Sequence, residues 1–206
     1  GQDCQPAVIL PTERKVRSFI AFPFSDAGIQ ALNDAVRCLE TEIGRHVRWV
    51  RPEGIHLTLK FMGDIQSEAA EQVLEALPSV AAAFMPFELA IKGLGAFPNL
   101  RRPRGLWAGV NGDLEVLSSL QQAVEDSVER LGLPKEQRYF SPHLTLGRVR
   151  RDVDDGQRRN IGEAVSSVAT PAVVRWTADT VNLMRTELDP EGSKHYLVGS
   201  ASLGSG

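Results

Sequence analysis

The sequence predicts an α+β fold in two similar halves, with two mostly antiparallel sheets and helices outside them. Three observations support this prediction. The tetrapeptide HLTL occurs twice, the same order of strand-like and helix-like segments surrounds each copy, and corresponding residues are separated by a nearly constant distance along the chain. The separation is 88, 88 and 87 residues for the pairs Phe19 and Trp107, Gly44 and Gly132, and His56 and His143. Such a constant offset indicates an internal duplication, with copies at about 16–62 and 105–149.

The first copy contains an apolar strand, an amphipathic helix, a short strand and a longer strand that carries HLTL. Ser25 or Asp26 can cap the helix, and Gly44 closes it. The last strand is expected to stop at Gly63 and Asp64. The four segments span 16–22, 29–43, 47–50 and 55–62.

The second copy repeats this order with a strand at 105–110, a helix at 114–131 that ends at Gly132, and a strand at 143–149. Between the copies, the pattern predicts a helix that breaks near Pro78, followed by a strand. After the second copy it predicts one more helix and a hairpin with a polar turn. These remaining segments are 67–80, 87–97, 155–168, 179–188 and 195–203.

Composition limits the classes of function. The 206 residues are 42% hydrophobic and 24% charged, which is typical of one globular domain. No apolar run approaches the roughly 20 residues of a membrane helix, so a cytoplasmic protein without membrane contact is expected. A net charge of −3 argues against coating nucleic acid through bulk charge. Any contact with nucleic acid must then be local, and basic stretches at 101–104 and 148–151 are the candidates, although both can be solvated loops.

Two further features concern organisation. Residues 1–15 are expected to be a poorly ordered leader before a single bilobal domain at 16–206. Cys4 and Cys38 have no metal-ligand spacing, and a disulfide between them is a minor alternative for a chain that looks cytosolic.

The HLTL strands carry the chemistry. Side chains alternate on a strand, so each histidine and threonine share one face while the leucines anchor the other. If an approximate two-fold axis relates the halves, the two polar faces can meet across a cleft. The unperturbed pKa of histidine is about 6.5, so two histidines can act as base and acid in one turnover, and hydroxyls can donate to phosphate oxygens.

Three alternatives remain at this point. Each histidine can be a satisfied, partly buried strand residue. A metal site would require three or four ligands, and the two motifs supply two histidines without a nearby acidic pair. Nucleophilic catalysis lacks a nearby cysteine or a serine in an elbow motif.

The segments around both motifs resemble a known family. HLTLKF and PHLTLGRV are similar to the two HxTx signatures of the two-histidine phosphoesterases, and specifically of the RNA 2′,3′-cyclic phosphodiesterases, historically named 2′–5′ RNA ligases. The resemblance includes VRSFIAF, RWVRPEGIHLTLKFMGDI, GLGAFPNLRRPRGLWAGV, RYFSPHLTLGRVR, VNLMRTEL and HYLVGSASL. It covers nearly everything after about residue 15. One departure is Thr186, where the family usually has serine.

The resemblance implies a bilobal fold with pseudo-two-fold symmetry and a central basic cleft. It implies that His56 and His143 are catalytic, with His56 as the acid and His143 as the base, and that Thr58 and Thr145 bind phosphate. It also implies opening of 2′,3′-cyclic phosphates on RNA to 2′-phosphates without metal or cofactor, and a weak reverse joining reaction that makes 2′–5′ linkages.

Three further residues are candidates for substrate binding. Lys60 would share the strand face of His56 and Thr58, or be solvated at the strand end. Arg148 is charged and capable of bidentate contacts, and Phe140 could stack on a base or belong to the core. The other histidines, His46 and His195, receive no role, and Trp49 and Trp107 are interpreted as core.

The predicted function is therefore hydrolysis at RNA ends by a monomer that binds RNA ends or cyclic nucleotides in its cleft. One rival is a non-catalytic RNA or nucleotide-binding module. Another is an enzyme that acts on small cyclic nucleotides or 2′–5′ oligonucleotides. Two titrating groups are more than phosphate binding alone requires, which favours the enzyme.

Overall fold

The structure of the chain is a computed structural model, which describes residues 15–168 and 174–204. The predicted leader at 1–15 lies outside the described residues except for Lys15, which starts the first strand. The helices are α1 (Asp26–Ile43), α2 (Ser67–Ala82), α3 (Leu114–Arg130) and α4 (Asp155–Ser167). The strands are β1 (Lys15–Phe22), β2 (Val47–Trp49), β3 (Leu57–Gln66), β4 (Phe87–Phe97), β5 (Gly105–Gly112), β6 (His143–Val149), β7 (Val174–Ala178), β8 (Thr180–Asp189) and β9 (Gly192–Ser202).

The strands form two sheets. The first has the order β3-β1-β8-β9 and the second the order β2-β6-β5-β4-β7. All neighbouring strands are antiparallel. The predicted α+β fold with two antiparallel sheets and outer helices is confirmed.

The duplication is visible in this topology. The pair β1 and β3 of the first copy corresponds to the pair β5 and β6 of the second. In each sheet two further strands extend from the first strand of the copy, β8 and β9 in one and β4 and β7 in the other. Among the described residues, the short strand β2 has no equivalent strand in the second copy. It belongs to the first copy by sequence but pairs with β6 at the edge of the second sheet.

The helix of each copy packs on the side of the sheet that contains the strands of the other copy. Helix α1 contacts β7 and α4 beside the second sheet, whereas α3 contacts β3 of the first sheet and α2. A single cluster of buried apolar side chains therefore runs through both lobes, including Ile20 and Leu57 of one and Leu144 and Leu106 of the other. Each sheet combines strands from distant parts of the chain, so the lobes are not consecutive halves of the sequence. The organisation of 16–206 as one domain stays a prediction.

The helix boundaries follow from local chemistry. The Ser25 side chain accepts a 3.1 Å hydrogen bond from the Gly28 amide, which caps α1 as expected. Asp154 and Gln157 form a capping box at the start of α4. Gly132 has φ of +86°, a conformation that favours glycine, immediately after α3 and its capping residue.

Three details of the sequence-based prediction were wrong. The strand at the first motif does not stop at Gly63: β3 continues to Gln66, and Gly63, with φ of +65°, lies at an irregularity in the β1–β3 pairing. Pro78 does not break α2, because buried Leu77 and Ala81 on either side hold the last turn against the core. Strand β7, which includes the buried Trp176, was not predicted.

Two expectations concern features outside the sheets. Among the residues that the structure describes, no helix is long and apolar enough to cross a membrane. Cys38 is exposed on α1, and Cys4 lies outside the described residues.

Candidate active site

A cleft of about 750 Å³ lies where strands of the two sheets face each other. Strands β3 and β6, which carry the two HLTL motifs, are in contact with each other. His56, Thr58 and Thr145 line the cleft. His143 does not belong to this lining, but it precedes Thr145 by two residues and shares its strand face.

The two histidines are held in the same way. His56 Nδ1 lies 3.1 Å from the carbonyl oxygen of Gly54, and His143 Nδ1 lies 2.8 Å from that of Ser141. A carbonyl oxygen only accepts, so Nδ1 carries the proton in both bonds and Nε2 is left for another partner. Each imidazole is thus oriented by a backbone group two residues upstream.

Each histidine also has an aromatic neighbour, but the surroundings differ. The Phe19 ring lies 5.7 Å from that of His56, and the Phe97 ring lies 5.0 Å from that of His143, both edge-on. Burial lowers the pKa of His56, and the hydrogen bond to Gly54 partly offsets this effect. His56 in the free protein therefore favours the neutral imidazole.

Both motif strands contain a bulge at the same position. Lys60 pairs with Ile20 and Thr58 with Ala21, so Leu59 is the extra residue in β3. In β6 the pairing skips Leu146 in the same way. The Leu59 carbonyl accepts from Gln121 Nε2 at 3.3 Å, and the Leu146 carbonyl accepts from the Val50 amide at 2.8 Å.

The bulge changes which side chains face the cleft. Alternation would place Lys60 beside Thr58, but after Leu59 the faces exchange, and Phe61, 71% exposed, lines the cleft instead. In β6 the corresponding side chain is Arg148, which is exposed and also lines the cleft. In both motifs, the side chain five residues after the histidine therefore lines the cleft: Phe61 in β3 and Arg148 in β6.

The prediction that Lys60 binds substrate is therefore wrong. Its ammonium group is buried, 2.9 Å from Glu125 Oε2 on α3 and 2.9 Å from the carbonyl oxygen of Pro134. The side chains of Lys60 and Glu125 are 3% and 4% exposed. This ion pair joins the strand of one motif to the segment that leads toward the other.

Comparisons with known proteins identify the family of this chain. A family model described as LigT-like phosphoesterase matches the chain twice, at residues 22–107 and 110–194, with one HLTL motif in each match. The chain belongs to the LigT-like phosphoesterase family. The two matches also follow the internal duplication, and the resemblance identified from the sequence is confirmed.

Individual relatives of this phosphoesterase cover almost its whole length. An RNA 2′,3′-cyclic phosphodiesterase of Aquifex aeolicus is 30% identical over 92% of this chain and 98% of its own. The crystal structure of TT0787 of Thermus thermophilus superposes with a TM-score of 0.75 at 26% identity, covering 91% and 97% of the two chains. E. coli LigT complexed with 3′-AMP, 20% identical with a TM-score of 0.68 over 92% and 98%, shares the fold.

Phe140, a candidate for base stacking, is not in the cleft of the phosphoesterase. It is partly buried and packs against the hydrophobic core in the segment between α3 and β6. Phe61 and Tyr196 are exposed aromatic side chains that do line the cleft. The 87-residue offset from Arg148 could have identified Phe61, since the two positions are equivalent in the duplication.

His195 is a cleft residue that sequence reasoning missed. Its ring lies edge-on to His56 at 5.6 Å and to Phe19 at 5.1 Å, and its Nδ1 lies 3.0 Å from Thr186 Oγ1. Burial, and then the charge of His56, lower the pKa of His195. It belongs to β9, outside the two HLTL motifs, so neither the duplication nor the strand alternation indicated a role for it. Trp49, interpreted as core, both packs against the core and lines the cleft.

The phosphoesterase cleft is basic although the chain is acidic overall. Five basic side chains line it together with only two carboxylates, namely Arg17, Arg48, Arg51, Arg148, Lys194, Glu53 and Glu191. Such a cleft attracts anions. Across residues 15–168 and 174–204, no group of three or more His, Cys, Asp or Glu side chains is placed to hold a metal ion.

Proposed function

We propose that this phosphoesterase hydrolyses 2′,3′-cyclic phosphate ends of RNA to 2′-phosphates by acid and base catalysis with His56 and His143. The observation that carries the proposal is the repeated histidine geometry. In both motifs Nδ1 donates to a carbonyl two residues upstream, which leaves Nε2 as the ring nitrogen available for proton transfer. The name of the Aquifex aeolicus relative supports the choice of substrate.

The reaction requires proton transfer at two places. Water attacks phosphorus and loses a proton to the base, while the ribose 3′-oxygen leaves and receives a proton from the acid. In-line displacement places these groups on opposite sides of phosphorus, which suits one histidine from each lobe. Attack by the 5′-hydroxyl of a second RNA instead of water forms a 2′–5′ linkage, the weak joining reaction that the proposal includes.

The two threonines stabilise the cyclic phosphate, and an arginine adds positive charge to the substrate-binding cleft. Thr58 and Thr145 each supply a hydroxyl donor, and the guanidinium of Arg148 supplies the charge. None of these groups requires a metal ion, so the proposed mechanism is metal-independent. The proposed enzyme is a monomer that binds RNA ends or cyclic nucleotides in its cleft.

The decisive test incubates an RNA that ends in a 2′,3′-cyclic phosphate with the protein in excess EDTA and determines the position of the product phosphate by NMR. We expect a 2′-phosphate and an unchanged rate in chelator. Binding without turnover would leave a nucleotide-binding module, and turnover only of small cyclic nucleotides or 2′–5′ oligonucleotides would change the substrate class. Activity restored by zinc or manganese would contradict the metal-independent mechanism.

The roles of the two histidines are a finer proposal, with His56 as the acid and His143 as the base. The lowered pKa of His56 opposes this assignment in the free protein, because an acid must be protonated before it donates. A bound phosphate anion beside Nε2 raises the pKa of the imidazole again and favours the assignment in the complex.

A substrate with sulfur in place of the 3′-oxygen separates the roles, because a thiolate leaves without protonation. It should largely restore the activity of His56→Ala and leave His143→Ala defective. Restoration of His143→Ala instead would exchange the two roles, and restoration of neither would count against acid and base catalysis.

A further inference from the structure

Two arginines lie side by side on the last two strands at one edge of the second sheet. Arg48 of β2 and Arg148 of β6 are direct partners in the antiparallel pairing. Directly opposed residues share a face of the sheet, with Cβ atoms about 5 Å apart. Both side chains are exposed, and both line the cleft.

This pair is not neutralised by the protein. Like charges directly opposite each other on a sheet are destabilising, yet within the described residues neither Arg48 nor Arg148 forms an ion pair with a carboxylate. The nearby Arg51 differs, because its guanidinium lies 3.7 Å from Glu191 Oε2. The sheet edge thus holds two uncompensated positive charges side by side.

The pair lies beside the proposed phosphate site. After Thr145, Leu146 is the bulge residue and Gly147 turns toward the core, so Arg148 is the next side chain of β6 in the cleft. Two to three residues along a strand correspond to about 7–10 Å. The first lobe has no counterpart, since β2 is present only in the second sheet and Phe61 occupies the position equivalent to Arg148.

A single phosphodiester does not account for this arrangement. The cyclic phosphate carries one negative charge, and the two threonine hydroxyls are already available to it. Two guanidinium groups held together can form bidentate contacts with a second phosphate.

We propose that Arg48 and Arg148 form a subsite for the phosphate on the 5′ side of the terminal nucleotide. This inference rests on the proposed function and deepens it. The substrate class is a nucleotide or RNA with a 5′-phosphate or 5′-phosphodiester on its terminal residue, in preference to a nucleoside 2′,3′-cyclic phosphate.

The kinetic test compares adenosine 2′,3′-cyclic phosphate with the same compound carrying a 5′-phosphate. For the natural sequence we expect kcat/KM to be about tenfold or more higher with the 5′-phosphate, as for a hydrogen bond to a charged group. Arg48→Gln should bring the ratio of the two kcat/KM values close to one, and Arg48→Lys should retain part of it. A ratio of one in the natural sequence, while both compounds are hydrolysed, would overturn the subsite and leave the proposed function standing.

Arg17→Gln is the matched control. Arg17 is an exposed cleft arginine on β1 of the first lobe, also without an ion pair in the described part of the chain, so its removal changes the cleft charge equally. We expect Arg17→Gln to keep the ratio. If Arg17→Gln lowers the ratio of the two kcat/KM values as much as Arg48→Gln does, the preference comes from general attraction by the cleft. That result would overturn a local subsite.

A binding measurement keeps the two proposals separable. Calorimetry should show adenosine 2′,5′-bisphosphate binding about tenfold or more tightly than adenosine 2′-phosphate, with the difference lost in Arg48→Gln. This result does not depend on turnover, so it upholds the subsite even if the proposed hydrolysis fails. Equal affinity for the two compounds would overturn the subsite even if hydrolysis is observed.

Discussion

The two HLTL strands have the same backbone design and different surroundings. Each fixes its histidine through a carbonyl two residues upstream, and each has a bulge at the second leucine of the motif. The side chains that follow the bulge differ completely. Lys60 and Phe61 of β3 correspond to Gly147 and Arg148 of β6.

This difference fits the proposed reaction, in which two similar motifs have different roles. The shared features hold the imidazole and hydroxyl groups in corresponding positions, which the proposed acid and base both require. The unshared features place an aromatic side chain, Phe61, after the first motif and a cationic side chain, Arg148, after the second. His195 adds a second imidazole next to His56 only.

The largest expected effect comes from removing the shared element. His56→Ala and His143→Ala should each lower kcat/KM by about 10²-fold to 10⁴-fold, the usual contribution of a general acid or base. The double variant should lose far less than the product of the two losses, because the residues act on one transition state. Steady-state kinetics on an RNA with a 2′,3′-cyclic phosphate measure all three.

His46→Ala is the control for these variants, since His46 lies outside the cleft lining. It should keep nearly full activity. Strictly multiplicative losses in the double variant would mean that the two motifs do not work as one unit.

A second prediction concerns the buried ion pair of Lys60, whose equivalent in the second motif is Gly147 and has no such pair. Lys60→Met leaves Glu125 buried without its cation, and Glu125 Oε1 already has no hydrogen-bond partner within the described residues. We expect a loss of about 3–5 kcal/mol in the free energy of unfolding, as for other broken buried ion pairs. Denaturant unfolding monitored by tryptophan fluorescence measures it.

The double variant Lys60→Met with Glu125→Leu separates charge from packing. It should recover much of the lost stability, because no unpaired charge then remains buried. The Glu136 amide, which donates to Glu125 Oε2 at 3.2 Å, would lose its partner, so recovery should be incomplete. A double variant as unstable as Lys60→Met alone would show that packing, not charge, is the main contribution of this pair.

The sequence predicted most of what depends on regular patterns. Period-2 and helical spacing located the four helices of the described residues and most of their strands, and the 87-residue offset identified two equivalent motifs. His56, Thr58 and Thr145 line one cleft as the alternation of a strand requires. These features depend on local geometry that every strand and helix shares.

The errors come from interactions that no local pattern encodes. The prediction for Lys60 assumed uninterrupted alternation, and the bulge at Leu59 exchanged the faces of Lys60 and Phe61. His195 reaches His56 only because β9 and β3 belong to the same sheet. The Arg48–Arg148 pair likewise depends on β2 crossing to the other lobe, which sequence spacing alone does not reveal.

A smaller effect tests whether the two threonines are equivalent. Thr58→Val and Thr145→Val each remove one donor and little volume, so each should cost about 1–3 kcal/mol of transition-state stabilisation, measured as kcat/KM, without unfolding the protein. The matched variants Thr58→Ser and Thr145→Ser keep the hydroxyl and should retain most of the activity. Unchanged kinetics in either valine variant would remove that threonine from the site, and a clear difference between the two would show that the phosphate lies closer to one lobe.

The smallest effect concerns His195, which distinguishes the two histidine environments. His195 lies against His56, and the charge of His56 contributes to the lowered pKa of His195. Because coupling between two titrating groups is reciprocal, a protonated His195 also lowers the pKa of His56. Replacing it by glutamine removes a titrating neighbour, so the pKa of His56 should rise because a second positive charge can no longer form beside it. If His56 is the acid, activity is lost as the pH rises through its pKa, so the alkaline limb of the kcat/KM profile should move to higher pH in His195→Gln. If His56 is the base, activity is lost as the pH falls through the same pKa, and the acidic limb should move instead. A profile in which neither limb moves would mean that His195 has no influence on the protonation of His56.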